Sequence, residues 1–238
     1  MTAGPLRPSG PVRRTFPRSL IGGAAGLIAG GVAGWIWWRL AGLASLGGAA
    51  LLVTAPVVDR LTAKRRRLTA SDIDYARAIY EESVDYARIS LTRDSLFAIG
   101  APRTIMNSVH LKSGWGHFVG DSLDMSAHGL ETFIHELGHA WQYQNGGLAY
   151  IPKSLWAQLI AWVTKHTRDA AYDWRAASGA AIAWERWNPE QQAEAMADFN
   201  RALRRSQGPG RGVADQETMS LLRPFVDRAR RREGAPRF

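Results

Sequence analysis

A basic tail, residues 1–19, precedes a long segment in which apolar residues follow one another without helical or strand alternation. Between residues 20 and 58 only Arg39 is charged, and it divides the segment into two runs of nineteen residues, 20–38 and 40–58. A helix that crosses the hydrocarbon core of a bilayer needs about 20 predominantly apolar residues. The pattern therefore predicts a two-helix transmembrane hairpin over residues 20–58.

Basic residues flank this predicted hairpin on both sides, at Arg13 and Arg14 before it and between residues 60 and 67 after it. Flanks rich in Lys and Arg favour the cytoplasmic side. We therefore expect a protein of the inner (cytoplasmic) membrane, with the lipid bilayer as a partner and the following domain in the cytoplasm. Two alternatives stay open: the arginine pair is similar to a twin-arginine export signal, and the hairpin can be buried in a soluble fold, although it is long for a small domain to hide.

The next pattern has the period of a helix, which the spacing predicts over residues 127–144. Its apolar members recur at i, i+3, i+4 and i+7: Leu130, Phe133, Ile134, Leu137 and Trp141. At 100° per residue this stripe lies nearly opposite His135 and His139. The two imidazoles, one turn apart, therefore point together away from the core, as two ligands of one metal ion must.

These histidines belong to an HExxH motif, residues 135–139, which is typical of zinc peptidases. Glu136 lies 100° around the helix from His135, beside the expected metal site. A carboxylate in that place can take a proton from water and pass it to a leaving amine. The motif therefore predicts zinc on His135 and His139, with Glu136 as the general base.

A second helix begins at Asn188-Pro189, where Asn caps the helix and Gln191 completes a capping box. Three acidic residues then fall on one face at i, i+4 and i+8: Glu190, Glu194 and Asp198. Glu194 is the predicted third ligand; Glu190 is its rival, although Glu190 better suits the positive charge at the start of the helix. An exposed acidic face is the remaining alternative.

Composition narrows the chemistry. The chain has no cysteine, so any metal must bind His, Asp or Glu. The net charge of +9 is uneven: residues 1–70 hold ten basic and one acidic residue, residues 71–200 ten and sixteen, and residues 201–238 ten and four. An acidic domain between basic flanks argues against a specific nucleic-acid partner.

The segments that carry the chemistry resemble, in order, the Vgr-related zincin-like proteins, a family found beside extracellular contractile injection systems (eCIS) and type VI secretion genes. The resemblance covers residues 66–203 and rests on six segments: 68–69, 76–80, 84–86, 132–142, 172–174 and 190–198. It implies an α+β fold, a mainly helical zincin-like metallopeptidase domain with a small sheet. It also implies a peptide or protein substrate, or else a non-catalytic structural or effector protein that binds secretion-system components.

Within that resemblance, residues 194–198 are similar to the ExxxD arrangement of gluzincins. The similarity implies Glu194 as the third zinc ligand and Asp198 as the residue that orients a ligand histidine. Zincins often stabilise the oxyanion with a downstream Tyr or His, and the candidates here are His166 and Tyr172.

Three further expectations concern the remaining segments. Residues 104–112 and 115–120 are predicted to supply strands, the second as the edge strand beside the substrate. An apolar stripe that includes Trp156 and Val163 is expected to pack in the core, with an interfacial membrane contact as the alternative. Residues 204–238 are expected to be a basic, flexible tail.

Overall fold

A computed structural model describes residues 63–98, 100–208 and 212–238. The predicted tail and hairpin, residues 1–58, lie outside these ranges. Within them, no helix is both long and apolar enough to cross a membrane.

A four-stranded mixed sheet forms one layer of the domain. Its strands are β1 (Lys64–Arg67), β2 (Ser90–Arg93), β3 (Arg103–Ile105) and β4 (Ser108–Leu111). They lie in the order β1-β2-β4-β3, with β2 and β4 parallel and the outer pairs antiparallel. The two edge strands are therefore β1 and β3, and β3 is the one that lies beside the predicted histidine site. The prediction that residues 115–120 supply that edge is wrong, because β5 (Phe118–Val119) pairs with β6 (Ser122–Leu123) in a separate hairpin.

Six α-helices in the described residues form the rest of the fold. They are α1 (Ala70–Tyr80), α2 (Ala127–Gly146), α3 (Tyr150–Lys165), α4 (Trp174–Gly179), α5 (Pro189–Gln207) and α6 (Val213–Arg230). The architecture is thus α+β and mainly helical with a small sheet, as the sequence predicts.

The two helices that carry the candidate chemistry, α2 and α5, begin and pack as expected. The predicted apolar stripe of α2 is buried throughout, from Leu130 to Trp141. Helix α5 starts with the predicted capping box between Asn188 and Gln191. A Cβ atom on Gly138 would meet the Cα of Ala193 at 3.0 Å, so glycine permits α2 and α5 to approach closely here.

The C-terminal region differs from the expectation of a flexible tail over residues 204–238. Helix α6 buries Leu222, Val226 and Ala229, which recur at i, i+4 and i+7 on one face. The indole of Trp141 donates a hydrogen bond of 2.9 Å to the carbonyl of Ala229, and Arg230 donates to two carbonyls at the end of α1. The domain therefore extends well beyond residue 203, because α6 completes its core.

Helix α3 also departs from its prediction. Its apolar stripe was expected in the core, but Trp156 is 64% exposed and Val163 is 55% exposed. The residues of α3 that turn inward are instead Tyr150 and Ala161. The prediction that this stripe packs in the core is therefore wrong for the described part of the chain.

The role of α6 predicts a contrast between two adjacent leucines. Leu222 is fully buried and Leu221 is 49% exposed. We expect Leu222→Ala to lower the free energy of unfolding by about 2–5 kcal/mol, because it leaves a cavity in the core. The matched change Leu221→Ala should alter it by less than about 0.5 kcal/mol. Denaturant unfolding of both variants tests this; equal, small effects would mean that α6 is not part of the folded core.

Candidate metal centre

Two imidazoles and one carboxylate converge between α2 and α5. The Nε2 atom of His135 lies 3.3 Å from Oε2 of Glu190, and the Nε2 atom of His139 lies 3.4 Å from the same oxygen. All three ligand atoms lie within 4.8 Å of one another, and the three side chains are largely buried. Ligands about 2.0–2.2 Å from a tetrahedral ion stand roughly 3.3–3.5 Å apart. The donor types and spacing therefore fit a metal ion, and this group can hold one.

Glu194 occupies a different place from the one implied by the gluzincin pattern. Its Oε2 atom lies 3.0 Å from Nδ1 of His135, on the opposite side of the ring from the nitrogen that faces Glu190. A carboxylate at that nitrogen fixes the tautomer and the orientation of a ligand imidazole. The geometry thus favours Glu190 as the third ligand and Glu194 as the residue that orients His135.

The imidazole of His139 is oriented by the side-chain amide of Gln142, as that of His135 is by Glu194. Nδ1 of His139 donates to Oε1 of Gln142 at 2.9 Å. The Gln142 amide nitrogen in turn donates to the carbonyl of Pro189 and to Oε1 of Gln192. Because both Nδ1 atoms face acceptors, both Nε2 atoms are left free to bind a metal ion.

Asp198 does not take the orienting role implied for it. Its carboxylate accepts hydrogen bonds from the indole of Trp174 at 2.8 Å and from Arg175 at 3.1 Å, and it also pairs with Arg201. These partners tie α5 to α4. Asp198 therefore supports the position of α5 rather than a histidine.

Glu190 is held in place from the other side by α3. Its Oε1 atom accepts hydrogen bonds from Ser154 and, at 2.7 Å, from Gln158, which lie one turn apart. Gln158 also accepts a hydrogen bond from Arg168. Neither Ser154 nor Gln158 was predicted as a site residue, although two polar residues at i, i+4 within the apolar stretch of α3 are a signal that the sequence contains.

Glu136 is 4% exposed, and together with His135, His139 and Glu190 it lines a cavity beside the candidate metal site. Its Oε2 atom accepts a hydrogen bond of 2.7 Å from the hydroxyl of Thr104, on β3. Burial raises the pKa of the Glu136 carboxyl above its ordinary value, although His139 and His135 oppose the shift. The side chain is therefore a proton acceptor whose basicity exceeds that of an exposed glutamate.

Of the two candidates for oxyanion stabilisation, Tyr172 lies at the cavity and His166 does not. Tyr172 lines the cavity, and the centre of its ring lies 5.6 Å from that of His135. Burial raises the pKa of its hydroxyl, so Tyr172 stays protonated and can donate a hydrogen bond. His166 is exposed at the C-terminal end of α3 and is not among the residues that line the cavity.

Tyr150 is a further cavity residue that the sequence analysis did not find. Its ring stacks on that of His139 at 5.8 Å between centres. Its hydroxyl donates to the carbonyl of Thr104 at 3.0 Å and accepts from the backbone N–H of Met106 at 2.9 Å. Tyr150 therefore contacts both a candidate ligand and the edge strand β3.

The cavity has a volume of about 280 Å³. One wall is formed by residues 101–105, which include β3, and the opposite wall by α3 with residues such as Ile151 and Leu155. The candidate ligands and Glu136 lie on its surface. An extended chain that enters between β3 and α3 would thus pass the metal site.

The charges of the cluster are strongly coupled. Burial alone would lower the pKa of His135, but its hydrogen bonds to Glu190 and Glu194 raise it to about 10. Burial would raise the pKa of Glu190, yet His139 and His135 hold it well below its ordinary value. Without a metal ion, this part of the protein is therefore an ion pair between imidazolium and carboxylate.

A comparison of the chain with protein-family models, with curated proteins and with solved structures finds no match.

The geometry predicts different effects for the two glutamates on α5. Glu190→Gln should abolish stoichiometric binding of zinc, because it removes a ligand oxygen with its charge. Glu194→Gln should keep stoichiometric binding but weaken the affinity about 10–100-fold, because it alters only the partner of His135. Metal content after dialysis and competition against a chelator measure both effects. The reverse ranking would make Glu194 the ligand.

The ion pair also predicts that metal binding displaces protons. A histidine with a raised pKa is protonated at neutral pH and must lose its proton to bind a metal ion. The apparent affinity should therefore rise with pH, by up to about tenfold per unit for each proton displaced, between about pH 6 and pH 8. Calorimetry in buffers with different ionisation enthalpies counts the protons. An affinity independent of pH would contradict the imidazolium–carboxylate state.

Proposed function

We propose that this chain is a membrane-anchored zinc metallopeptidase of the HExxH zincin type, with zinc on His135, His139 and Glu190. The observation that carries the proposal is the position of Glu136, a buried carboxylate in the wall of the cavity that also holds the three ligand atoms. A structural metal site needs no such group, whereas hydrolysis needs a base beside the ion.

The donor set supports zinc over other common ions. Two imidazoles and one carboxylate are the ligands of one class of catalytic zinc site, which keeps a further position open. Calcium and magnesium prefer sites made of oxygen. When bound, such an ion supplies Lewis-acid chemistry, which polarises a carbonyl oxygen and acidifies a nearby water molecule.

The protein's own residues divide the remaining work. Glu136 accepts the proton of the attacking water and delivers it to the leaving amine nitrogen, while Thr104 fixes the direction of its carboxylate. Tyr172, kept protonated by burial, donates a hydrogen bond to the carbonyl oxygen as negative charge develops there. Glu136 therefore moves the proton, and Tyr172 stabilises the developing negative charge.

The edge strand β3 supports a peptide as the substrate. In the described residues it pairs with β4 on one side and with no strand on the other. An extended peptide can add to such an edge through main-chain hydrogen bonds. Tyr150 engages the carbonyl of Thr104 and the N–H of Met106, so a peptide that pairs there must displace its hydroxyl.

The resemblance to Vgr-related zincin-like proteins agrees with this proposal in its motif and in the order of its segments. The predicted hairpin at residues 20–58 supplies the membrane anchor of the proposal. A non-catalytic protein that binds secretion-system components remains the competing function, and activity separates the two.

The test is the variant Glu136→Gln, expressed as the full chain. It should bind zinc as the parent does but lose about 10²–10⁴-fold in peptide hydrolysis, because the base is gone and the ligands are not. New protein termini, identified by mass spectrometry after expression, report cleavage. The matched control is Glu217→Gln, an exposed glutamate on α6, which should leave cleavage unchanged.

Two outcomes would contradict the proposal. Equal cleavage by the parent and by Glu136→Gln would mean that Glu136 is not the base. Stoichiometric zinc in the parent together with no new termini would favour the non-catalytic function.

A further inference from the structure

Helix α3 carries an unusual amount of exposed apolar surface. Of the fourteen large hydrophobic residues that are exposed in the described chain, six belong to this one helix: Leu155, Trp156, Leu159, Ile160, Trp162 and Val163. Each of the six keeps between 42% and 64% of its surface in solvent. Together they expose several hundred Å², which is the size of patch that marks an interaction site on a soluble domain.

These six residues share one face of the helix. At 100° per residue they span an arc of about 160°. Tyr150 and Ala161, both buried, point the other way into the domain. The helix thus packs through a narrow inner side, and its wider apolar face, which we call the outer face of α3, has no partner in the described chain.

The charge around the outer face is of one sign. Residues 137–168 contain no Asp or Glu. Lys153, near the start of α3, is exposed and borders this face, whereas Lys165 and Arg168 lie on the side of Gln158, to which Arg168 donates a hydrogen bond. An apolar face with two tryptophans, a lysine at its border and no acidic residue nearby is typical of a helix that lies in the interface of an anionic bilayer.

We propose that the outer face of α3 docks on the surface of a membrane that contains anionic lipid. The indoles of Trp156 and Trp162 would lie at the level of the headgroups, and Lys153, at the border of the face, would contact lipid phosphates. The contact leaves Ser154 and Gln158, which hold Glu190, on the protein side of the helix.

The chain before the described residues favours lipid as the occupant. The second apolar run ends at Val58, and β1 begins at Lys64, so at most roughly 20 Å of chain separates the two. If the run crosses the bilayer as predicted, the domain stays close to the membrane surface. A tether of this kind raises the effective concentration of the surface, so that even a weak interfacial contact forms.

Docking of the outer face would also place the entrance of the cavity close to the membrane surface. Leu155 belongs both to the outer face and to the cavity wall, and Ile151 lines the wall one turn earlier. The entrance between α3 and β3 would therefore open next to the lipid headgroups. Chains that emerge from the same membrane would reach it first.

The absence of cysteine permits a direct test in the full chain. Val163→Cys places a single environment-sensitive fluorophore on the outer face. Thr164→Cys places it one residue further on, beside that face, and Glu217→Cys places it on α6. Each labelled chain is reconstituted in vesicles of phosphatidylcholine with phosphatidylglycerol, and quenching by brominated lipid is compared with quenching by aqueous iodide.

We expect the label at residue 163 to lose roughly half of its emission in brominated lipid and to resist iodide. The labels at 164 and 217 should respond mainly to iodide. In vesicles of phosphatidylcholine alone, the difference between 163 and 217 should shrink, because Lys153 loses its anionic partners. A second label at Leu159→Cys should repeat the result at 163.

Two results would overturn the proposal. Equal iodide quenching at 163 and 217, with no effect of brominated lipid, would leave the outer face in water. Protection at 163 that increases with the number of chains per vesicle, but not with brominated lipid, would assign the face to a second copy of the chain. Neither result depends on peptidase activity.

Discussion

The close packing of α2 against α5 at Gly138 and Ala193 is the constraint on which the site depends. With a Cβ at residue 138 the two helix backbones would have to separate, since that atom would lie 3.0 Å from the Cα of Ala193. The candidate ligand nitrogens on α2 and the candidate ligand oxygen on α5 are separated by only 3.3 and 3.4 Å. The helix propensity lost by a mid-helix glycine, about 1 kcal/mol, is the cost of that approach.

The same approach gathers charge in a place with little water. Three carboxylates, those of Glu136, Glu190 and Glu194, stand around two imidazoles. Removing one member of such a set leaves a buried charge without its partner, which is far more destabilising than the intact set is stabilising. Thr104 donates a hydrogen bond to Glu136, and Ser154 and Gln158 donate to Glu190, so the cluster is held from the sheet and from α3 as well as from its own helices.

The sequence is informative where a single element carries both its packing pattern and its chemistry. The apolar stripe of α2 fixes which way His135 and His139 point, and the capping box fixes where α5 begins. The choice between Glu190 and Glu194 is different, because both lie on the same face and only the crossing of α5 over α2 decides which oxygen meets the Nε2 atoms. The spacing of Leu222, Val226 and Ala229 is that of a helix with one buried face, but the high positive charge of the region favoured the prediction of a flexible tail. For α3, the periodicity predicts an apolar face, but it does not show that the domain packs against the opposite face, which contains Tyr150 and Ala161.

The contacts of Arg230 with α1 have a consequence for how the domain folds. They join residues 151 and 152 positions apart in the chain, so the last helix holds the first. Contacts of such long range form late and slowly, because loop closure costs entropy before it is rewarded. The amide of Gln192, which contacts Gln142 behind His139, also donates to the carbonyl of Gly234. During synthesis, the two histidines are therefore made long before the segment around Gly234, and the hydrogen bonds that join this segment to the candidate centre form only after it.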